Sequence, residues 1–236
     1  MRPGDDLAGL LLEACPDDLA SGDVLVVAHK VVSKAEGRVR RLRDVEPDVR
    51  AVALAARIDK DARLVQVVLE ESASVLRAER GVLICETSHG FVCANAGVDR
   101  SNTGSVDEVV LLPSDPDGSA RALRAAIARA SGARPAIVVS DSFGRAWRLG
   151  QTDVAIGAAG LRVLDDWRGR RDSVGRELRA TAIATADSVA GAADLARSKD
   201  DRHPAVLVRG LSWLVSDDDG PGAGALRRPA ADNLFR

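Results

Sequence analysis

A mixed α/β (α+β) fold is predicted by three observations. Short apolar runs are rich in Val and Ile, the segments between them repeat apolar residues at three and four, and Gly, Asp and Pro clusters separate the two kinds. Asp23 to Ala28, a β-branched run after Gly22, reads as a buried strand. Leu54, Ile58, Leu64, Val65, Val68 and Leu69, with charges between them, predict an amphipathic helix or helix pair. Val82 to Cys85 and Phe91 to Cys93 read as two strands around the turn Glu86 to Gly90, and Val109 to Leu112 as another strand. Asp115-Pro116-Asp117-Gly118-Ser119 has cap-and-turn chemistry, and Leu123, Ile127 and Ala130 carry a helical face on to Gly132. Ala136 to Val139 restores a strand, so the polar stretch Ser140 to Arg145 is expected just past a strand's C-terminal end, where α/β sheets bind ligands. Ala182 to Ala196 predicts an Ala-rich helix and Ala205 to Val208 a late strand, while Asp217 to Gly224 reads as a mobile loop.

The chain of 236 residues is long enough to bury a substantial core, and 46% apolar with 29% charged residues argues against wholesale disorder. Neither a solenoid repeat nor a long linker interrupts it, so it reads as one functional unit, residues 1–236, with two interleaved α/β subdomains as the finer possibility. A formal charge of -2 and a pI near 6.0 leave no global basic field for nucleic acid or an anionic membrane, so phosphate binding must be local. No apolar leader or 20-residue apolar span is evident, and a cytoplasmic protein is expected. Cys85, His89 and Cys93 tempt a zinc reading, but three candidate ligands without a tight C-x2-C pair favour small buried hydrophobes flanking a turn.

Both common phosphate loops, G-x-x-x-x-G-K-[ST] and G-x-G-x-x-G, are missing from the sequence, so a nucleotide enzyme here needs another cradle. Gly157-Ala158-Ala159-Gly160 reads better as close packing or a strand end. Asp99 and Asn102, in Gly97-Val98-Asp99-Arg100-Ser101-Asn102, pair a carboxylate with an amide suited to a hard cation beside a phosphate or base; an Asx turn with Asn102 capping a helix is the alternative. Asp141 and Ser142 offer a carboxylate plus hydroxyl of the kind Mg²⁺ or Mn²⁺ prefers, against a plain serine-flanked turn. Arg145 and Arg148 are the candidate catalytic cations, two guanidinium forks able to reach anions held by the same metal, although surface charge is arginine's usual fate. Ser33, Lys34 and Arg38 follow the first strand and suit phosphate oxygens. His29, His89 and His203 are scattered and, without a Ser or Cys elbow, read as structural.

Taken in order along nearly the whole chain, these stretches resemble one family. Gly22-Asp23-Val24-Leu25 leading to Ser33-Lys34-Ala35-Glu36-Gly37, His89 to Asp99 with Ser101-Asn102, Ser140 to Arg145 with Trp147-Arg148, Val154-Ala155-Ile156-Gly157, Asp187-Ser188-Val189-Ala190 and Arg228 to Phe235 are similar to the coenzyme F-420:L-glutamate ligases. The resemblance implies an intertwined homodimer that uses GTP and two Mg²⁺ or Mn²⁺ ions, with room for K⁺. Its substrates would be coenzyme F-420-0 and L-glutamate, joined by an amide, with later residues γ-linked. By the same resemblance Asp99 and Asp141 are metal ligands converging on one cleft, Ser142 a ligand of the second metal, Asn102 a GTP contact, and Ser33, Lys34 and Arg38 nucleotide or phosphate contacts.

The pattern departs from the family at three places. Only Met1-Arg2-Pro3 precede Gly4-Asp5-Asp6-Leu7, where the family has a strand and a nucleotide-contacting segment; Ala146 stands where proline is usual; and Lys199 lies near a metal-binding glutamine of archaeal members. The chain resembles the ligase part alone, without the nitroreductase-like domain of some bacterial relatives. The shortened start keeps a second expectation open, a non-catalytic nucleotide- or deazaflavin-binding subunit. An amide ligase acting on another carboxylate is a third.

Overall fold

The computed structural model describes residues 1–15, 18–198 and 203–234. Lys199 and Phe235 lie outside the described residues. In chain order the elements are α1 (Leu7–Ala14), β1 (Val24–Ala28), α2 (His29–Ala35), β2 (Val39–Arg41), α3 (Val49–Ile58), α4 (Ala62–Glu70), β3 (Ser72–Glu79), β4 (Val82–Thr87) and β5 (Val92–Ala94). They continue with β6 (Glu108–Val110), α5 (Pro116–Ser131), β7 (Ala136–Arg145), β8 (Arg148–Ala159), β9 (Asp165–Asp166), β10 (Ala182–Ile183), α6 (Thr185–Leu195) and β11 (Ala205–Val208). The mixed α/β class expected from the sequence is the class observed.

The chain divides into two compact units, each assembled from three stretches: Met1–Asp5, His29–Asp115 and Phe143–Gln151 in the first, Asp6–Ala28, Pro116–Ser142 and Thr152–Arg236 in the second. The core of the first is the apolar face of the α3–α4 pair with Leu83, Cys85, Val98, Val109 and Leu111. Asp48 and Asp61 cap the two helices through their side chains, which fixes where each begins. The expected pair is therefore real, and Asp59, in the left-handed region at φ 53°, makes the break between them. Here β3, β4 and β5 form a three-stranded antiparallel sheet, and β2 pairs antiparallel with β6. Strand β3, unforeseen, alternates poorly and exposes Leu76, so its periodicity was weak.

In the second unit the sheet order is β11-β1-β7-β8, with β1 parallel to β7 and antiparallel to β11. Strand β1 reads as a continuous apolar run because it lies in the middle of the sheet, with Val24, Val26 and Val27 fully buried. Val24, Val26, Ala136 and Val138 meet Ala186, Val189, Ala190 and Ala193 of α6 in one apolar cluster. Gly157 is required by close approach, since a Cβ there would lie 2.2 Å from the Pro116 carbonyl oxygen, in keeping with the close-packing reading of Gly157–Gly160.

Three expectations change. Ser140 to Arg145 belong to β7 itself rather than to a turn beyond it, because β7 and β8 extend as neighbouring strands joined through Ala146 and Trp147. The Ala-rich helix starts at Thr185, not Ala182, since Ala182 and Ile183 pair with Asp166 and Asp165 in a two-stranded ribbon. The Asp217 to Gly224 segment is anchored: Asp117 accepts hydrogen bonds from the backbone N–H groups of Ala223 and Gly224 at 2.7 and 3.1 Å, and the buried Arg124 guanidinium pairs with Asp219 at 2.8 Å. The segment is a loop, as its composition implies, but the partners that hold it come from α5, about a hundred residues away in sequence. Among the described residues no helix is long and apolar enough to cross a membrane.

Candidate functional site

Helix α2 puts Lys30 and Lys34 one turn apart on the same face. Both reach the turn after Val98: the Lys30 ammonium lies 2.6 Å from Asp99 Oδ2 and donates to Ser101 Oγ, while Lys34 Nζ donates to the Asn102 carbonyl. Asp99 Oδ1 also accepts from the Ser101 backbone N–H at 2.6 Å, closing an Asx turn. The Asx turn is real, but no helix follows Asn102, whose backbone sits in the left-handed region at φ 56°. Burial opposes ionisation of Asp99, yet the hydrogen bonds from Lys30 and Ser101 and the Lys30 charge together hold its carboxyl below the ordinary range. For Lys34 the balance runs the other way: burial and the neighbouring Lys30 charge pull its pKa down, only partly offset by Glu108. A cation so placed gains from an incoming anion.

Lys34 and Asn102 share a cleft of about 870 Å³ with Gly37, Arg40, Arg41 and Thr103. Arg40 and Arg41 keep surface ion pairs with Glu70 and Glu108 at 3.3 and 3.7 Å. Ser33 is fully buried on α2, its hydroxyl 3.4 Å from His29 Nδ1, and Arg38 is engaged with Glu71 at 2.7 Å and with the Leu112 carbonyl at 3.0 Å. Of the residues singled out here, Lys34 and Asn102 therefore border the cleft, while Ser33 and Arg38 brace its walls. Lys30 escaped the sequence reading; its signal was the four-residue spacing from Lys34. Arg145 and Arg148 are exposed near the β7–β8 turn, where Arg145 donates to the Leu149 carbonyl at 2.8 Å.

The second cluster belongs to the other unit and follows from strand periodicity. Ser140 and Ser142 lie two residues apart on β7 and so share a face, while Asp141 points to the opposite one. Ser140 Oγ donates to Asp153 Oδ2 at 2.8 Å and Ser142 Oγ to Asp153 Oδ1 at 2.7 Å; the Arg197 guanidinium pairs with the same buried carboxylate and donates to Ser140 Oγ at 3.1 Å. Asp141 Oδ1 accepts from the Ser142 N–H at 2.8 Å. Asp153 also escaped the sequence reading, although a carboxylate opening the apolar run Val154 to Ala159 was the available signal.

Cys85 and Cys93 are buried and directly opposite on β4 and β5. Burial pushes the Cys85 thiol above its ordinary value, against hydrogen bonds with Ser72 and the Ala96 backbone, which is the reverse of a zinc thiolate. Among the described residues no group of three His, Cys, Asp or Glu side chains is arranged to hold a metal. Asp99 and Asp141 with Ser142 nevertheless offer hard oxygen donors. Asp99 lies in the first unit and Asp141 with Ser142 in the second, and one or two such carboxylates completed by substrate phosphates and water is how Mg²⁺ is commonly held.

Similarity to known proteins gives the class, a ligase. The model of the F420-0:gamma-glutamyl ligase family fits residues 1–210. The chain is 45% identical to the coenzyme F420:L-glutamate ligase of Methanopyrus kandleri over 238 aligned positions, spanning 100% of this chain and 93% of that protein. It is 42% identical to the coenzyme F420:L-glutamate ligase of Methanothermobacter thermautotrophicus, over 99% of this chain and 93% of that protein, and 44% identical to that of Haloarcula marismortui, over 100% and 91%. The chain belongs to the F420-0:gamma-glutamyl ligase family and is an enzyme of the ligase class.

Proposed function

We propose that this enzyme attaches L-glutamate to coenzyme F-420-0 at the expense of GTP, first by an amide bond and then through γ-linkages. The substrates are those in the names of its relatives. The observation that carries the nucleotide reading is the cationic cleft, where Lys34, its pKa lowered by burial and by Lys30, faces the Asp99–Asn102 turn. Asp99, Asp141 and Ser142 are metal ligands in this reading, and Mg²⁺ or Mn²⁺, with K⁺ as a further cation, neutralises charge on the polyphosphate. Asn102 and Lys34 contact GTP, Ser33 and Arg38 hold the wall they stand on, and Arg145 and Arg148 supply the guanidinium groups for anionic substrate. The assembly is a homodimer, which light scattering coupled to size exclusion tests.

The chemistry follows from the leaving group. A carboxylate acylates poorly because oxide leaves badly. An acceptor carboxylate oxygen attacks the γ-phosphorus of GTP, the bond from that phosphorus to the β,γ-bridging oxygen breaks, and GDP departs. The glutamate amine, having lost its ammonium proton to solvent or a base, adds to the acyl carbon. Collapse then expels inorganic phosphate with the original carboxylate oxygen. Lys30 and Lys34 stabilise charge on the transferring group, the interaction that contributes most in such reactions. Acceptor labelled with ¹⁸O in its carboxyl group should deliver the label to released phosphate. Amide product accompanied by wholly unlabelled phosphate would exclude the acyl phosphate.

A further inference from the structure

We propose that Asp153, held by Arg197, is a positioning residue that aims the Ser142 hydroxyl oxygen at a bound divalent cation. The inference rests on the metal reading of Asp141 and Ser142 above and adds two residues outside it. A serine hydroxyl has one proton and two lone pairs. Ser142 commits that proton to Asp153 Oδ1 at 2.7 Å, which fixes the rotor and leaves only acceptor capacity for any further partner. An oxygen whose proton is donated to a carboxylate is also more electron-rich, and therefore a better donor to a hard cation.

The rest of the network holds Asp153, only 4% exposed, through both of its oxygens. Its other oxygen accepts from Ser140 Oγ at 2.8 Å and pairs with Arg197, whose side chain is only 9% exposed. Arg197 also donates to Ser140 Oγ at 3.1 Å, so the Ser140 proton too is directed at Asp153. Both hydroxyls on that face of β7 are thus oriented by one carboxylate. Asp153 and Arg197 need not touch metal or substrate for this effect.

The test measures Mn²⁺ binding alone to the full chain, by loss of the free-ion electron paramagnetic resonance signal. Asp153→Asn should bind Mn²⁺ about 10- to 100-fold more weakly than wild type, the usual effect of removing a partner that orients a metal ligand. In a Ser142→Ala background the same substitution should add less than about threefold, because its effect passes through Ser142. The Asp153→Asn/Arg197→Gln double variant buries no isolated charge and guards against loss of folding; it should melt near wild type and bind as weakly as Asp153→Asn. Wild-type Mn²⁺ affinity in a folded Asp153→Asn or double variant overturns the positioning role, as does an undiminished effect in the Ser142→Ala background. A wild-type chain that binds no Mn²⁺ instead overturns the metal reading on which this inference stands.

Discussion

At the scale of single residues, the Lys30–Asp99 contact makes a pH-dependent statement. The Asp99 carboxyl is held below its ordinary value despite burial, so its ionisation adds stability that is complete above the unfolded carboxylate pKa of about 3.9. That stability is lost as the pH falls through the lower folded value. Lys30→Met should raise the Asp99 pKa, so the loss begins at higher pH, which carboxyl ¹³C titration reads directly. The same variant should lower turnover by about tenfold or more if Lys30 stabilises the transferring phosphoryl group. Arg124 is a structural counterpart, 1% exposed, donating to the carbonyls of Pro135, Asp217 and Ser216 and to Asp219. Arg124→Met would strand several of these acceptors and should cost on the order of 3 kcal/mol in urea denaturation.

At the scale of elements, β7 shows how strand periodicity divides labour. Three consecutive polar residues looked like a turn because polarity interrupts the apolar run Ala136 to Val139. The strand continues because β8 pairs beside it, and the alternation sends Ser140 and Ser142 to Asp153 and Asp141 elsewhere. Neither the partner strand nor Asp153 can be read from that local stretch, whereas β1, α4 and α5 carry their own pattern of period and caps. The packing of α5 against β8 is equally specific. Gly157→Ala would drive a Cβ against the Pro116 backbone and should destabilise the chain by about 2 kcal/mol, measurable by chemical denaturation without change in the denaturant slope.

At the scale of the whole molecule, the interleaving of the two units has consequences for fragments. Strand β1 is the middle of the order β11-β1-β7, yet it precedes nearly all of the first unit in sequence. A fragment of residues 116–236 therefore lacks the strand that pairs with both β7 and β11, and two buried backbone edges would be left without partners. Circular dichroism should find that fragment largely unfolded, and joining residues 6–28 to its N-terminus through a flexible linker should restore sheet signal. A cooperative native-like melt from the fragment alone would contradict this account.

By itself the sequence determined the mixed α/β class, most element positions, the family resemblance and the residue types that suit phosphate and a hard cation. Those properties are written in local periodicity, capping residues and short ordered stretches. Only the tertiary structure decided that Lys30 sits on Asp99, that Ser33 is buried and Arg38 paired with Glu71, that Asp117 and Arg124 anchor the Asp217 to Gly224 segment, and that Asp153 and Arg197 gather the β7 serines. The reason is physical. Hydrogen bonds and ion pairs between residues tens of positions apart have no local period, so they exist in the sequence only as the possibility of a partner and become definite when the sheet sets their distance.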